Sequence, residues 1–195
     1  MSLSPLPEFT TDRLILRAPR ASDASSWERH FNDKDVIFEL FDAVPWPYPA
    51  GGALSYFNDV LNPGQGQDHW AFGLFLREKP DEMIGLVTFY KNARPDHRGF
   101  WLGRAFWGQG LMSEALLVLT TYAFDHLGYD RLILTNASLN TRSKRLKEKV
   151  GATFLHRAPA KFVNPDYTEM DVWELTKDAW NAYRQKETSA SNIAP

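Results

Sequence analysis

The chain has 195 residues, of which 44% are hydrophobic, 14% aromatic and 24% charged, a balance that suits one folded domain and excludes a disordered or collagen-like chain. The absence of cysteine removes a disulfide framework, a thiolate metal centre and a cysteine nucleophile together. A net charge of −2 gives no basic field for a nucleic-acid backbone, and no apolar run approaches the roughly 18 residues of a membrane span. The opening Met1 to Thr11 has neither a basic start nor an apolar stretch, so the reading is a cytoplasmic protein with no nucleic-acid or membrane partner.

Leu14-Ile15-Leu16-Arg17 is a short β-prone run, and Ser22-Asp23 can cap a helix carrying Trp27 and Phe31. Three prolines make Val44 to Pro49 an aromatic loop. A helix over Ala50 to Leu61 should end at Asn62-Pro63-Gly64. His69 to Arg77, Met83 to Lys91 and His97 to Arg104 read as strands; the connections Lys79 to Glu82 and Asn92 to Asp96 are of hairpin length, which makes the strands antiparallel. From Met112 the apolar positions Leu116, Leu119, Ala123 and Leu127 keep helical spacing until Gly128. Leu132-Ile133-Leu134 is a strand, Thr141 to Val150 a short helix, Thr153 to His156 and Tyr167 to Leu175 two more strands, and Thr176 to Gln185 a final helix. The sum is an α/β chain with a mixed sheet, a single domain over residues 1–186 and a disordered tail over 187–195.

Two stretches carry chemistry. In Phe100 to Leu111 a strand passes through a Gly-bearing turn, Trp107-Gly108-Gln109-Gly110, into the long helix. Such a turn presents unpaired N–H groups at the positive end of a helix dipole and admits an anion closely, although an isolated Gly-x-Gly is more often only a tight turn. Leu111-Met112-Ser113 lacks the lysine of a P-loop, and Leu134-Thr135-Asn136 lacks the acid of a dinucleotide fold. In Asn140 to Ala152, Asn140 caps a helix whose Ser143, Leu146 and Val150 share one face, placing a hydroxyl on the first turn. The lysines of this helix read as a solvated basic face.

Taken together, Thr11-Asp12-Arg13-Leu14-Ile15-Leu16-Arg17, Trp107-Gly108-Gln109-Gly110-Leu111, Ser113-Glu114-Ala115, Asn140-x-x-Ser143, Glu148-Lys149-x-Gly151-Ala152, Asp171 and Leu175-Thr176 before Trp180 resemble the GNAT superfamily of acetyl-CoA-dependent N-acetyltransferases, and more narrowly its RimJ/RimL-like branch. The resemblance covers nearly the whole chain. It implies a mostly antiparallel sheet of six or seven strands, splayed between the fourth and fifth, flanked by helices and holding acetyl-CoA in the gap. Backbone groups of Leu102, Gly103 and Arg104 would pair with the pantetheine arm, Trp107, Gly108, Gln109, Gly110, Leu111 and Met112 would hold the pyrophosphate, and Asn140 would contact the arm from the other side. One departure is Ala105, where the family carries glutamine or arginine. No metal is implied.

By the same resemblance Ser143 donates a proton to the coenzyme sulfur, and a backbone N–H near Leu102 or Gly103 meets the acetyl carbonyl. Many relatives place an acid on the fourth strand, where this chain reads Asp96-His97-Arg98-Gly99. Period-two alternation puts His97 with Gly99, Trp101 and Gly103 on one face, so His97 is the candidate base, with Glu39 and Asp42 behind it. Trp46, Tyr48 and Tyr90 are candidates to frame the acceptor, an amine on a small molecule or a protein N-terminus. A catalytically silent acyl-CoA sensor or scaffold is the competing reading, and the assembly is a monomer or homodimer.

Overall fold

A computed structural model describes residues 6–93 and 95–191; residues 1–5, Arg94 in the 92–96 connection, and residues 192–195 of the expected tail lie outside the described residues. Strands β1 (Phe9–Thr10), β2 (Leu14–Arg17), β3 (His69–Leu76), β4 (Lys79–Tyr90) and β5 (Arg98–Leu102) form one antiparallel sheet in that order. A second antiparallel sheet has the order β6 (Arg131–Ala137), β8 (Glu169–Thr176), β7 (Thr153–Pro159). The eighth strand, beyond the seven expected, is the two-residue β1, too short to leave a periodic signature. The expected splay lies between β5 and β6, because the fourth and fifth strands read from sequence are these two.

Helix α1 (Ala24–Phe31), α2 (Lys34–Ile37), α3 (Gly52–Tyr56) and α4 (Asn62–Gly64) lie between β2 and β3; α5 (Leu111–His126), α6 (Thr141–Lys149) and α7 (Lys177–Ser191) follow. Each face of the five-stranded sheet buries a different set. Leu14, Leu16, Phe72, Leu74, Val87 and Leu102 pack with Leu116 and Leu119 of α5 and with Trp173 and Trp180. On the other face Ala71, Phe75, Met83, Leu86 and Trp101 pack with Trp27, Phe31, Val36 and Ile37.

Several boundaries differ from the sequence reading, most of them by one to three residues, and the following have a specific cause or consequence. β4 starts at Lys79 and not at Met83, because Leu76 pairs with Lys79 across a two-residue turn and bulges beside Phe75 take up the register. Pro80 is tolerated there because β5 pairs only with Gly85 to Phe89, so that stretch of β4 has one neighbour. Helical structure continues past Leu61 through Pro63 to Gly64: a π-turn over Phe57–Leu61 widens the helix just before the ring that cannot donate an N–H. The last helix extends to Ser191, beyond Gln185 and into the segment read as a tail.

The two sheets meet at the foot of β5 and β6. The His97 N–H donates to the Ile133 carbonyl at 2.8 Å, and the Ile133 N–H donates to His97 Nδ1 at 2.8 Å. Beyond this junction the sheets are separate, and a cleft of about 540 Å³ opens between them.

Candidate functional site

The floor of the cleft is set by strand register. The Tyr90 N–H donates to the His97 carbonyl at 2.9 Å, and the Gly103 N–H to the Ile84 carbonyl at 2.8 Å. Along an antiparallel strand the backbone groups alternate in direction, so the His97 carbonyl, the Gly103 N–H and the groups of Gly99 and Trp101 turn to β4, and those of Arg98, Phe100 and Leu102 turn to the gap. The Leu102 carbonyl accepts from Trp107 Nε1 at 2.7 Å, which leaves the Leu102 N–H and both groups of Phe100 facing the cleft. Gly103, expected to offer its N–H, has already used it.

At the end of the strand a short turn leads into α5. Gly108 and Gly110 have φ of 75° and 76°, a left-handed conformation that favours glycine. The Glu114 N–H is bonded to the Gly110 carbonyl at 3.0 Å, so the N–H groups of Leu111, Met112 and Ser113 have no acceptor in their own helix. Trp107, Gly108, Gly110, Leu111, Met112 and Ser113 all line the cleft. Gln109 does not; its amide folds back to donate to the Ala105 carbonyl at 2.9 Å. Arg104 does not either: it pairs with Asp35 beside a second, polar cavity also lined by Lys34, Asp166 and Arg142.

The opposite wall is the start of α6. The Asn140 side chain accepts from the Ser143 N–H at 2.9 Å, closing the helix end and placing Asn140 and Ser143 on the cleft. The Ser143 hydroxyl is held in turn: Lys147 Nζ donates to Ser143 Oγ at 2.8 Å. Lys147 is 1% exposed, which corrects the reading of this helix's lysines as solvated. It falls one turn after Ser143 on the stripe shared with Val150, and that i+4 position was the available signal. Burial pulls its ammonium down to about 7, with the neighbouring Arg98 adding to the shift and Asp96 and Asp171 opposing it. Asn136 Oδ1, also on this side, is buried without a hydrogen-bond partner.

Nearer the junction lies a carboxylate that alternation did not single out. Asp96 is buried, lines the cleft, and accepts from Thr135 Oγ1 at 2.5 Å; burial pushes its pKa up against that bond and the charges of Lys147 and Arg98. His97 is placed differently from its expected role. β5 begins only at Arg98, the ring turns to Ile133 and packs on Tyr129, and His97 is not among the residues lining the cleft. Burial lowers its pKa, and the charge of Arg131 lowers it further. Tyr90 and Glu39 do line the cleft. Burial raises the pKa of Glu39 despite the charge of Arg142, which donates to Glu39 Oε1 at 2.8 Å, while Oε2 is buried and unpartnered. Trp46 packs on Phe38 and Tyr48 on Phe31, and neither they nor Asp42 reach the cleft. Among the described residues no cluster of metal-ligating side chains occurs, and no helix is long and apolar enough to cross a membrane.

Comparison with known proteins gives the same outline. The sequence pattern described as an acetyltransferase (GNAT) domain matches residues 13–153. An uncharacterised N-acetyltransferase of Bacillus licheniformis, p20, is 30% identical over 142 residues, which is 70% of this chain and 76% of that one. The [ribosomal protein uS5]-alanine N-acetyltransferase of Escherichia coli (strain K12) is 27% identical over 158 residues, 75% of this chain and 78% of that one. Among solved structures, RimL, a ribosomal L7/L12 alpha-N-protein acetyltransferase in complex with coenzyme A, superposes with a TM-score of 0.72 at 21% identity, covering 87% of this chain and 97% of that one.

Proposed function

Since the chain belongs to the GNAT acetyltransferase family, whose co-substrate is acetyl-CoA, we propose that it moves the acetyl group to a primary amine by direct attack within a ternary complex. The observation that carries this reading is the cleft itself. One wall carries free N–H groups at the start of α5, the facing wall carries Ser143, and a buried Asp96 lines the same cleft nearer the junction. The residues fit the coenzyme: the N–H groups of Leu111, Met112 and Ser113 suit pyrophosphate oxygens at a helix N-terminus, and the gap-facing groups of Phe100 and Leu102, with the orphaned Asn136 Oδ1, suit the amides of the pantetheine arm.

Acetyl transfer needs a neutral amine, a polarised thioester carbonyl and a proton for the departing sulfur. The Leu102 N–H donates to the carbonyl oxygen as charge develops there. Asp96, with its pKa raised by burial toward the working range of a base, takes the proton from the acceptor ammonium, directly or through one water. Ser143 Oγ–H passes its proton to sulfur as the C–S bond breaks. His97 cannot fill the base role while Nδ1 accepts from Ile133. The acceptor is either a protein N-terminal amine, the class named for RimL, or a small-molecule amine.

The test is release of free thiol from acetyl-CoA across a panel of small amines and N-terminal peptides. At least one should give turnover well above the blank, and Asp96→Asn should lower kcat by roughly 100- to 1,000-fold with acetyl-CoA affinity unchanged. Gly110→Asp places a carboxylate against the phosphates, and calorimetry should show acetyl-CoA affinity falling steeply while circular dichroism stays native. Full binding in that variant removes the assigned seat; a panel with no turnover leaves a domain that binds without catalysing.

A further inference from the structure

Lys147 is the buried cation that the acetyl-transfer scheme leaves unused. Its ammonium lies within the protein, donating to Ser143 Oγ at 2.8 Å and more weakly to the Ser143 carbonyl at 3.4 Å. The charged groups facing it come from every element around it: Asp96 ahead of β5, Arg98 on β5, and Asp171 on β8. Two of these have partners elsewhere, since Asp96 accepts from Thr135 and Asp171 accepts from Arg157 Nε at 2.8 Å. Among the described residues no carboxylate oxygen lies within salt-bridge distance of Lys147 Nζ. An apolar side chain would fill this place without the desolvation that a buried ammonium incurs. The serine is therefore the contact that accounts for the lysine.

We propose that Lys147 is a positioning and proton-supplying residue for Ser143, so that the two work as a serine–lysine pair at the leaving sulfur. The inference rests on the acetyl-transfer reading. The N–H from Lys147 occupies an acceptor lone pair of Oγ, so the hydroxyl proton is free to point into the cleft that Ser143 lines. When the tetrahedral intermediate collapses, the C–S bond breaks, sulfur takes the proton from Oγ, and Oγ takes one from Nζ. Serine is restored as the alcohol, lysine is left as the neutral amine, and water recharges it once the products leave. An ammonium that gives up its proton near neutrality suits this duty, and the burial that lowers its affinity for the proton supplies that property.

The first test needs no acceptor. In the full chain carrying 13C-labelled lysine, one ε-carbon resonance should titrate near neutrality, vanish in Lys147→Met and move its midpoint in Ser143→Ala. An unchanged midpoint in Ser143→Ala overturns the pairing. With an amine found by the panel, Lys147→Met should lower kcat about 10- to 100-fold with the acetyl-CoA KM within about two-fold, and should remove the fall in kcat seen as pH rises past the lysine's ionisation. In a Ser143→Ala background the same substitution should have no further effect, whereas a merely structural role would multiply the two losses. Lys147→Arg, which keeps a charge but does not release its proton, should stay slow. Native kcat in Lys147→Met, or multiplying losses, overturns the proposal while leaving acetyl transfer standing. A native chain that releases no thiol from any amine removes the acetyl-transfer reading, and with it a proton path to sulfur.

Discussion

A lysine with its ammonium buried weakens the fold in a pH-dependent way, and the direction follows from proton counting. The unfolded side chain binds its proton with the ordinary value of 10.5, the folded one with a value lowered to about 7 by burial first and by Arg98 second. Between these limits the unfolded chain holds more protons than the folded one, so stability rises with pH across the window. Above pH 10 Tyr48, Tyr90 and Tyr129 reverse the trend, because burial raises all three and the folded chain keeps protons that the unfolded chain sheds. Urea denaturation at pH 7, 8 and 9 should show the native chain gaining stability at each step and Lys147→Met gaining much less. Equal slopes in the two proteins would mean that Lys147 is not desolvated as the structure has it.

The start of α5 depends on a brace from the far end of the sequence. Glu114, in its first turn, accepts from Thr11 Oγ1 at 2.5 Å, from the Arg13 N–H at 3.0 Å and from Arg13 Nε at 2.7 Å, while Arg13 Nη1 donates to the Gln109 carbonyl at 2.8 Å. Burial pushes the Glu114 carboxyl up, but the bonds from Thr11 and Arg13 outweigh it and hold the pKa below 4.5. The brace is therefore in place above that value and is lost as pH falls through the folded one. Arg13 is half exposed, which keeps its share of the stability small. Glu114→Ala should cost about 1–2 kcal/mol by thermal melt and loosen acetyl-CoA several-fold by calorimetry, because the turn loses its clamp. Native affinity in that variant would show that the turn holds its shape unaided. The motifs of both partners, Thr11-Asp12-Arg13 and Ser113-Glu114, were visible in the sequence, and so was the apolar stripe of α5 that Leu116, Leu119 and Ala123 bury. Their contact was not visible, since nothing local reports on a partner some hundred residues away. Asp96 escaped for the same reason, since Thr135 on another element holds it; the i+4 spacing of Lys147 from Ser143 was visible, but its burial beside Arg98 and Asp171 was not. His97 was misplaced because the alternation of β5 was extended one residue beyond the strand's first pair, to where the chain already turns toward β6.

At the scale of the molecule, the cleft exists because two antiparallel sheets are joined at one end and part at the other, so its shape depends on that joint. His97 serves it twice, giving its N–H to the Ile133 carbonyl and receiving the Ile133 N–H at Nδ1. His97→Ala leaves the Ile133 N–H without its acceptor and should cost about 1–3 kcal/mol. Protonation of Nδ1 breaks the same bond. Burial, then Arg131, lowers the folded pKa beneath 6.5, so as pH falls through 6.5 toward the folded value the unfolded chain takes a proton that the folded chain refuses, and stability drops. Denaturation series should show the native chain weakening across that window and His97→Ala, less stable throughout, lacking this part of the slope. The same variant separates the two candidate bases. With Asp96 as base, His97→Ala keeps the rising limb of kcat/KM with pH, and Asp96→Asn abolishes it; a limb lost in His97→Ala and kept in Asp96→Asn would return the role to the histidine and require the joint to open during turnover.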